Sequence, residues 1–150
     1  MSEKIKYLFI VLIIWIMTTT KKLTTGQLTK NFHIDEFRSK DGAIFPDDVK
    51  TNLLELAKNL QIIRDYIDEP ITITSGYRSP EHNLKVRGVK NSQHLKGKAA
   101  DITTSTYSPF ALAEMIEYLI EQGKIKQGGI GIYNSFVHYD IRGTKARWQG

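Results

Sequence analysis

The sequence contains no cysteine in its 150 residues. That excludes disulfides and every thiolate metal site, so any metal must be held by His, Asp or Glu. It also leaves the fold equally suited to oxidising and reducing compartments. Long apolar runs are missing as well. The run at residues 7–17, YLFIVLIIWIM, is short of the roughly 20 residues that a helix needs to span a bilayer. There is no internal repeat. The basic residues are scattered, with no stripe interleaved with aromatics, and this argues against nucleic acid as a partner.

What is present describes one domain with a small appendage. A hydrophobic fraction of 41% suffices for a globular core, and a charged fraction of 25%, mixed in sign, sets the chain apart from a disordered tail. The net charge of +5 either favours polyanionic surroundings, such as the acidic polymers of a bacterial wall, or serves only solubility. Lys4 and Lys6 precede the apolar run, and Lys21 and Lys22 follow it. That layout matches a secretory signal or short anchor, which implies membrane association through residues 7–17 and a place in the cell envelope. No small-residue cleavage site follows. The alternative is a start at Met17, MTTTKKLT, giving a soluble protein. Residues 1–20 are therefore set apart as an apolar segment, 21–30 as a linker and 31–150 as the domain.

Within the domain, NFHIDEF offers Phe32, Ile34 and Phe37 as a short docking segment. DGAIFP forms a turn, after which Asp47 or Asp48 is expected to cap a helix. That helix is marked by Val49, Leu53, Leu56, Leu60, Ile63 and Ile67 at steps of three and four, and Asp68, Glu69 and Pro70 end it. ITIT alternates as a strand with one buried face. A second strand begins near Ala99. A second long helix runs from the cap Ser108 and Pro109 to a stop near Gly123. GGIGIYN and SFVHYDIRG make a closing hairpin that turns at Asn134 and Ser135. The expected class is α+β, with a small, mostly antiparallel sheet and helices packed against it.

Four histidines are available: His33, His82, His94 and His138. In HLKGKAAD, His94 precedes a glycine and Asp101 follows at a strand edge, the pattern H-x-x-G-x-A-x-D. The glycine permits a tight turn and the alanine close packing, so the two side chains can aim at one spot. Alone, this is half a metal site or an ordinary loop leading into a strand. In FVHYDIRG, His138 and Asp140 fall on one strand face, which presents either a polar site or a solvated surface. Together the segments supply two imidazoles and one carboxylate. Three such ligands with a fourth position open is the arrangement of a catalytic zinc, which lowers the pKa of its water towards about 7.

Taken in order, ITITSGYRSPEHN, NSQHLKGKAADI and GGIGIYNSFVHYDIRG resemble the zinc D-Ala-D-Ala carboxypeptidase family of metallopeptidases, in particular its small single-domain branch common in bacteria and bacteriophages. The resemblance covers about residues 31–148. It implies the α+β fold shared by D-Ala-D-Ala metallopeptidases and the Hedgehog signalling domain. It also implies a Zn2+ cofactor held by His94, Asp101 and His138, and hydrolysis of peptidoglycan stem peptides as a D,D-carboxypeptidase or murein endopeptidase. Arg78 matches the arginine that steadies the substrate carbonyl or carboxylate, and Ser92 matches a small polar residue of the substrate pocket. A monomer is expected.

In one place the chain departs from many of these relatives. They carry Glu or Asp three residues before the last histidine as general base, where this sequence has Ser135. Asp140 is the substitute that the spacing suggests, either as the base or as a group orienting a ligand. Without a base, the alternative is an inactive zinc-binding module with the same fold, used for wall docking or in a phage particle. His82 is expected on a solvated loop, and His33 and Glu36 in structural roles. Tyr133 and Trp148 are assigned to the core, with the cleft wall as the alternative.

Overall fold

The computed structural model describes residues 25–150, so the apolar run at 7–17 lies outside the described residues. Among the described residues, no helix is long and apolar enough to cross a membrane. The chain opens with an isolated bridge between Gln27 and His33, and Leu28 packs on the core. A 3-10 turn follows at Ile34–Phe37, whose flanking Phe32 and Phe37 rings are fully buried 6.3 Å apart. His33 caps this turn, and Glu36 accepts in return from the His33 backbone N–H at 2.7 Å, a reciprocal pair that satisfies two otherwise free donors.

Helix α1 (Asp47–Ile67) buries every member of its predicted apolar stripe. It ends at Asp68, whose backbone is left-handed. Its start differs from expectation. Asp47 and Asp48 lie inside the first turn, where their charge favours the helix dipole, and Pro46 holds the cap position with no side-chain bond. Strand β1 (Thr72–Ser75) leads into helix α2 (Pro80–Lys85), capped by Ser79. A second 3-10 turn (Gln93–Lys96) enters strand β2 (Ala99–Thr103). Helix α3 (Pro109–Glu121) begins as predicted, with Ser108 Oγ accepting from the Ala111 N–H at 3.2 Å. Strands β3 (Gly129–Ile132) and β4 (Val137–Asp140) form the expected hairpin, closed by the Tyr133 N–H on the Phe136 carbonyl.

The class is α+β. The five-stranded sheet runs β1-β2-β4-β3-β5, and its last member, β5 (Ala146–Gln149), was not foreseen. β5 lies parallel to β3, while the other three neighbouring pairs are antiparallel, so the sheet is mixed. Strand alternation divides its faces. Ala100, Ile102, Ile130, Val137 and Tyr139 join the core with α1 and α3. The intervening residues face the other way. One row of register partners crosses all five strands on that side: Ser75 with Asp101, Asp101 with His138, His138 with Gly131, and Gly131 with Trp148.

Candidate metal centre

That row carries the site, and the second 3-10 turn completes it. Ser92 opens the turn, its Oγ accepting from the His94 N–H at 3.3 Å. Gly97 closes it in the left-handed region at φ +65°, the tight turn that the motif suggested. The turn directs the His94 ring towards the loop after β1, where Nδ1 lies 2.6 Å from the Gly76 carbonyl oxygen. The Arg78 N–H donates to the His94 carbonyl at 3.1 Å and ties the two segments together.

The structure brings together the three residues expected to meet. His94 Nε2 lies 3.2 Å from Asp101 Oδ1 and 3.2 Å from His138 Nδ1, and His138 Nδ1 lies 3.0 Å from Asp101 Oδ1. All three residues are buried. The far nitrogen of each ring sets its tautomer. The Gly76 carbonyl can only accept, so Nδ1 of His94 carries the proton and Nε2 turns a lone pair inward. Asp140 Oδ2 sits 2.9 Å from His138 Nε2, so that nitrogen carries the proton and Nδ1 faces inward. With both imidazoles neutral, three acceptor atoms thus point at one spot, an arrangement that is repulsive unless a proton or a metal cation lies among them.

The charges around the donors differ from one ring to the other. Burial pushes the His94 pKa down and keeps the imidazole neutral. At His138 burial acts in the same direction, but the carboxylates of Asp101 and Asp140 outweigh it and raise its pKa. Burial opposes ionisation of Asp101, yet the adjoining imidazoles of His138 and His94 hold its carboxyl well below the usual carboxylate range. Two neutral-capable imidazoles and one ionised carboxylate, without thiols, form a donor set that suits zinc.

Asp140 does not fit the role of base. Its side chain has no exposed surface. Oδ1 accepts from the Gly129 N–H, the Arg142 N–H and Arg142 Nε, and Oδ2 from His138 Nε2 and Arg142 Nη2. Burial raises its pKa, but these bonds, led by that of His138, hold it well below the ordinary value. It stands behind the His138 ring, away from the side facing His94. Gly129 makes room for it, since a Cβ there would lie 2.3 Å from Oδ2.

Arg78 and Ser92 both line the cleft that opens on the three donors, a cavity of about 620 Å³. Arg78 is partly committed: Nη2 donates to Asp101 Oδ2 at 2.8 Å and Nε to Ser75 Oγ at 3.0 Å. Tyr133 and Trp148 line the same cleft, which corrects their assignment to the core. Trp148 reaches it across Gly131, where a Cβ would lie 2.4 Å from the indole. Its ring centroid is 5.0 Å from that of His138, and Nε1 donates to the Tyr133 hydroxyl at 3.0 Å. Tyr133 in turn stacks on Phe136 at 4.4 Å. Ser135 is not part of this cleft; it lines a separate groove with Thr104, Tyr107 and Pro109. His82 sits on α2, and His33 caps the first 3-10 turn, so neither joins the candidate metal centre.

Sequence reasoning missed Arg142, which holds Asp140 and lies over the Trp148 ring at 5.6 Å. The signal was present in DIR, where continued strand alternation would put Asp140 and Arg142, two apart, on one face.

A family model described as Peptidase M15 matches residues 22–140. A probable peptidoglycan L,D-endopeptidase, MepK, of Haemophilus influenzae is 32% identical over 106 residues, covering 66% of this chain and 53% of that protein. The zinc D-Ala-D-Ala carboxypeptidase of Streptomyces albus G is 35% identical over 74 residues, covering 49% of this chain and 29% of that protein. The chain thus spans about half the length of the first relative and less than a third of the second. A crystal structure of a Serratia marcescens L-Ala D-Glu endopeptidase, ChiX, aligns distantly. The TM-score is 0.40 and the identity 17%, over 65% of this chain and 88% of that one.

Proposed function

The chain belongs to the peptidase M15 family, and on that premise we propose that it is a zinc-dependent hydrolase of peptide bonds in peptidoglycan stem peptides, as a D,D-carboxypeptidase or endopeptidase. The names of the two curated relatives support that substrate class. One observation carries the metal reading: three lone pairs, on His94 Nε2, Asp101 Oδ1 and His138 Nδ1, converge with their partner nitrogens already bonded elsewhere. The proposed fold is that of D-Ala-D-Ala metallopeptidases and the Hedgehog signalling domain, acting outside the cytoplasm.

A zinc ion bound there supplies Lewis acidity to the scissile carbonyl and to the attacking water. The chain's residues do the rest. The Gly76 carbonyl and Asp140 fix the two imidazole orientations and raise their basicity as ligands. Arg78 holds the second oxygen of Asp101, so that Oδ1 alone turns towards the histidines. Its Nη1, without a partner among the described residues, is placed to steady a substrate oxygen as charge develops. Trp148 covers one side of His138 and narrows the access of water. The peptide lies along the wall made by Tyr133, Phe136 and Trp148.

A second reading has its own observation. Asp101 is the only carboxylate among the described residues lining the cleft, and it faces the two histidines and Arg78. A module that keeps zinc and fold but lacks a proton acceptor would look the same. The test is incubation of zinc-loaded protein with purified peptidoglycan and with a D-Ala-D-Ala peptide, scoring new amines. Turnover that disappears in His94→Ala supports the hydrolase. No turnover on a broad muropeptide panel, with stoichiometric zinc retained, leaves the binding module.

A further inference from the structure

Helix α2 ends in a Schellman turn. The Gly88 N–H donates to the Asn83 carbonyl at 2.8 Å, and the Arg87 N–H to the Leu84 carbonyl at 3.0 Å. This motif places one residue in the left-handed region, a slot that glycine usually fills because it has no Cβ. Here the slot holds Arg87, at φ +56°. The neighbouring glycine answers a different demand, since a Cβ on Gly88 would lie 2.1 Å from Asn83 Oδ1. The chain therefore uses glycine where packing requires it and an arginine where the backbone prefers glycine. Strain of that kind on a bulky residue, at the lip of a cleft, points to a function for the side chain.

The cleft shows what the function is. Three arginines line it: Arg78, Arg87 and Arg142. Arg78 is bound to Asp101 and Ser75, and Arg142 to Asp140. Arg87 alone of the three has no hydrogen-bond or ion-pair partner among the described residues. Beside it stand the exposed side chains of Val86 and Val89, which also line the cleft and can take an apolar group. Asp101, the one carboxylate among the described residues lining the cleft, is committed to the two histidines and Arg78. An incoming carboxylate therefore meets an uncompensated guanidinium whose fork matches it in two bonds.

We propose that Arg87 is a specificity residue, which recognises a free carboxylate on the peptide substrate from its left-handed position beside the metal centre. This rests on the peptidase reading above. The carboxylate is either the C-terminal group of the peptide or an acidic side chain near its end, and the same guanidinium serves both.

Three zinc-loaded comparisons separate the sources. The ligands are a pentapeptide ending in D-Ala-D-Ala as the free acid, its C-terminal amide, and an amide carrying an acidic residue next to the end. Affinity is read by calorimetry, and as KM where the peptide is cleaved. Wild type prefers the free acid over the plain amide if the C-terminal group is read, and the acidic amide over the plain amide if the side chain is read. In Arg87→Gly that preference falls about ten-fold while affinity for the plain amide stays within about two-fold. The same variant gains roughly 2 °C in Tm, because glycine suits the turn. Arg87→Lys keeps part of the preference. Retention of the full preference by Arg87→Gly, or a fall in its Tm, overturns the proposal. Wild type that cleaves or binds all three peptides equally overturns it too, and leaves the peptidase reading intact. Wild type that neither binds nor cleaves any of them overturns both.

Discussion

Asp140 Oδ2 lies 2.9 Å from His138 Nε2, on the opposite side of the imidazole from Asp101, with the Arg142 guanidinium closing over the same carboxylate at 2.7 Å. A group in that position is suited to set the tautomer of His138, and its burial keeps it from the cleft. Asp140→Asn is therefore expected to lower zinc affinity by about 10–100-fold. Activity at saturating zinc should recover much of what is lost at limiting zinc. A metal titration followed by turnover at several zinc concentrations checks this. Loss of turnover with unchanged zinc affinity would restore Asp140 as a base.

Removal of metal should be felt by the fold as well as the site. Three buried acceptor atoms facing one another repel when neither a metal ion nor a proton lies among them. A bound ion at about 100 times its Kd contributes about 2.7 kcal/mol to stability. Chelation is expected to lower Tm by roughly 5–10 °C, and re-addition of zinc to restore it. Asp101→Asn, with two rings left facing an amide, should show a much smaller response to chelator. Differential scanning calorimetry with and without chelator is the measurement.

Gly131 is where the backbone yields to the indole of Trp148. Gly131→Ala places a methyl 2.4 Å from that ring, so the indole must leave His138 and its bond to the Tyr133 hydroxyl. The expected cost is about 1–3 kcal/mol of stability, with a red shift of tryptophan fluorescence and a fall in kcat. Trp148→Phe relieves the clash in the double variant, and should recover stability more than activity.

Ser135 occupies the sequence position where an acid would be expected in many similar chains, but the hairpin turns it into a different groove. Ser135→Glu should therefore leave kcat within about two-fold of wild type. A large gain in kcat would show that the turn can bring the new carboxylate into the cleft.

Asp41 links the first loop to the start of α2. Its carboxylate accepts from the hydroxyl of Ser79, whose backbone N–H in turn donates to Ser39 Oγ at 3.0 Å. Hydrogen bonds from Ser39 and Ser79 lower the Asp41 pKa to about 2. A depressed carboxylate stabilises the fold above its unfolded pKa, and that contribution disappears as pH falls through the folded value. Asp41→Asn should thus be less stable than wild type at pH 6. The gap should narrow from about pH 4 downwards and close near pH 2. Thermal melts at pH 6, 4, 3 and 2 test the trend.

The long helices and the hairpin were readable because each rests on local rules. The stripe of α1 recurs at helical spacing, Ser108 and Pro109 announce α3, and Asn134 and Ser135 turn the hairpin. Strand β5 was not readable. Its four residues, ARWQ, do alternate apolar and polar types, but over too short a span to stand out, and its parallel partner β3 lies beyond the whole of β4 in the chain. The helix start was misplaced for a related reason. An aspartate near a helix N-terminus favours the dipole from inside the first turn as well as from the cap, and sequence does not separate the two.

The candidate metal centre divides along the same line. Residue types and their order, with cysteine absent, made His94, Asp101 and His138 candidate donors, because metal chemistry restricts the donors, and the family resemblance then implied them as the ligand set. Only the tertiary structure decided which way each ring nitrogen points, that Asp140 is sealed behind His138 by Arg142, and that Trp148 crosses Gly131 to form the cleft wall. Those outcomes depend on sheet register and on side chains meeting across strands far apart in the chain. Local sequence determines what a residue can do, whereas register determines which partner it meets and on which side.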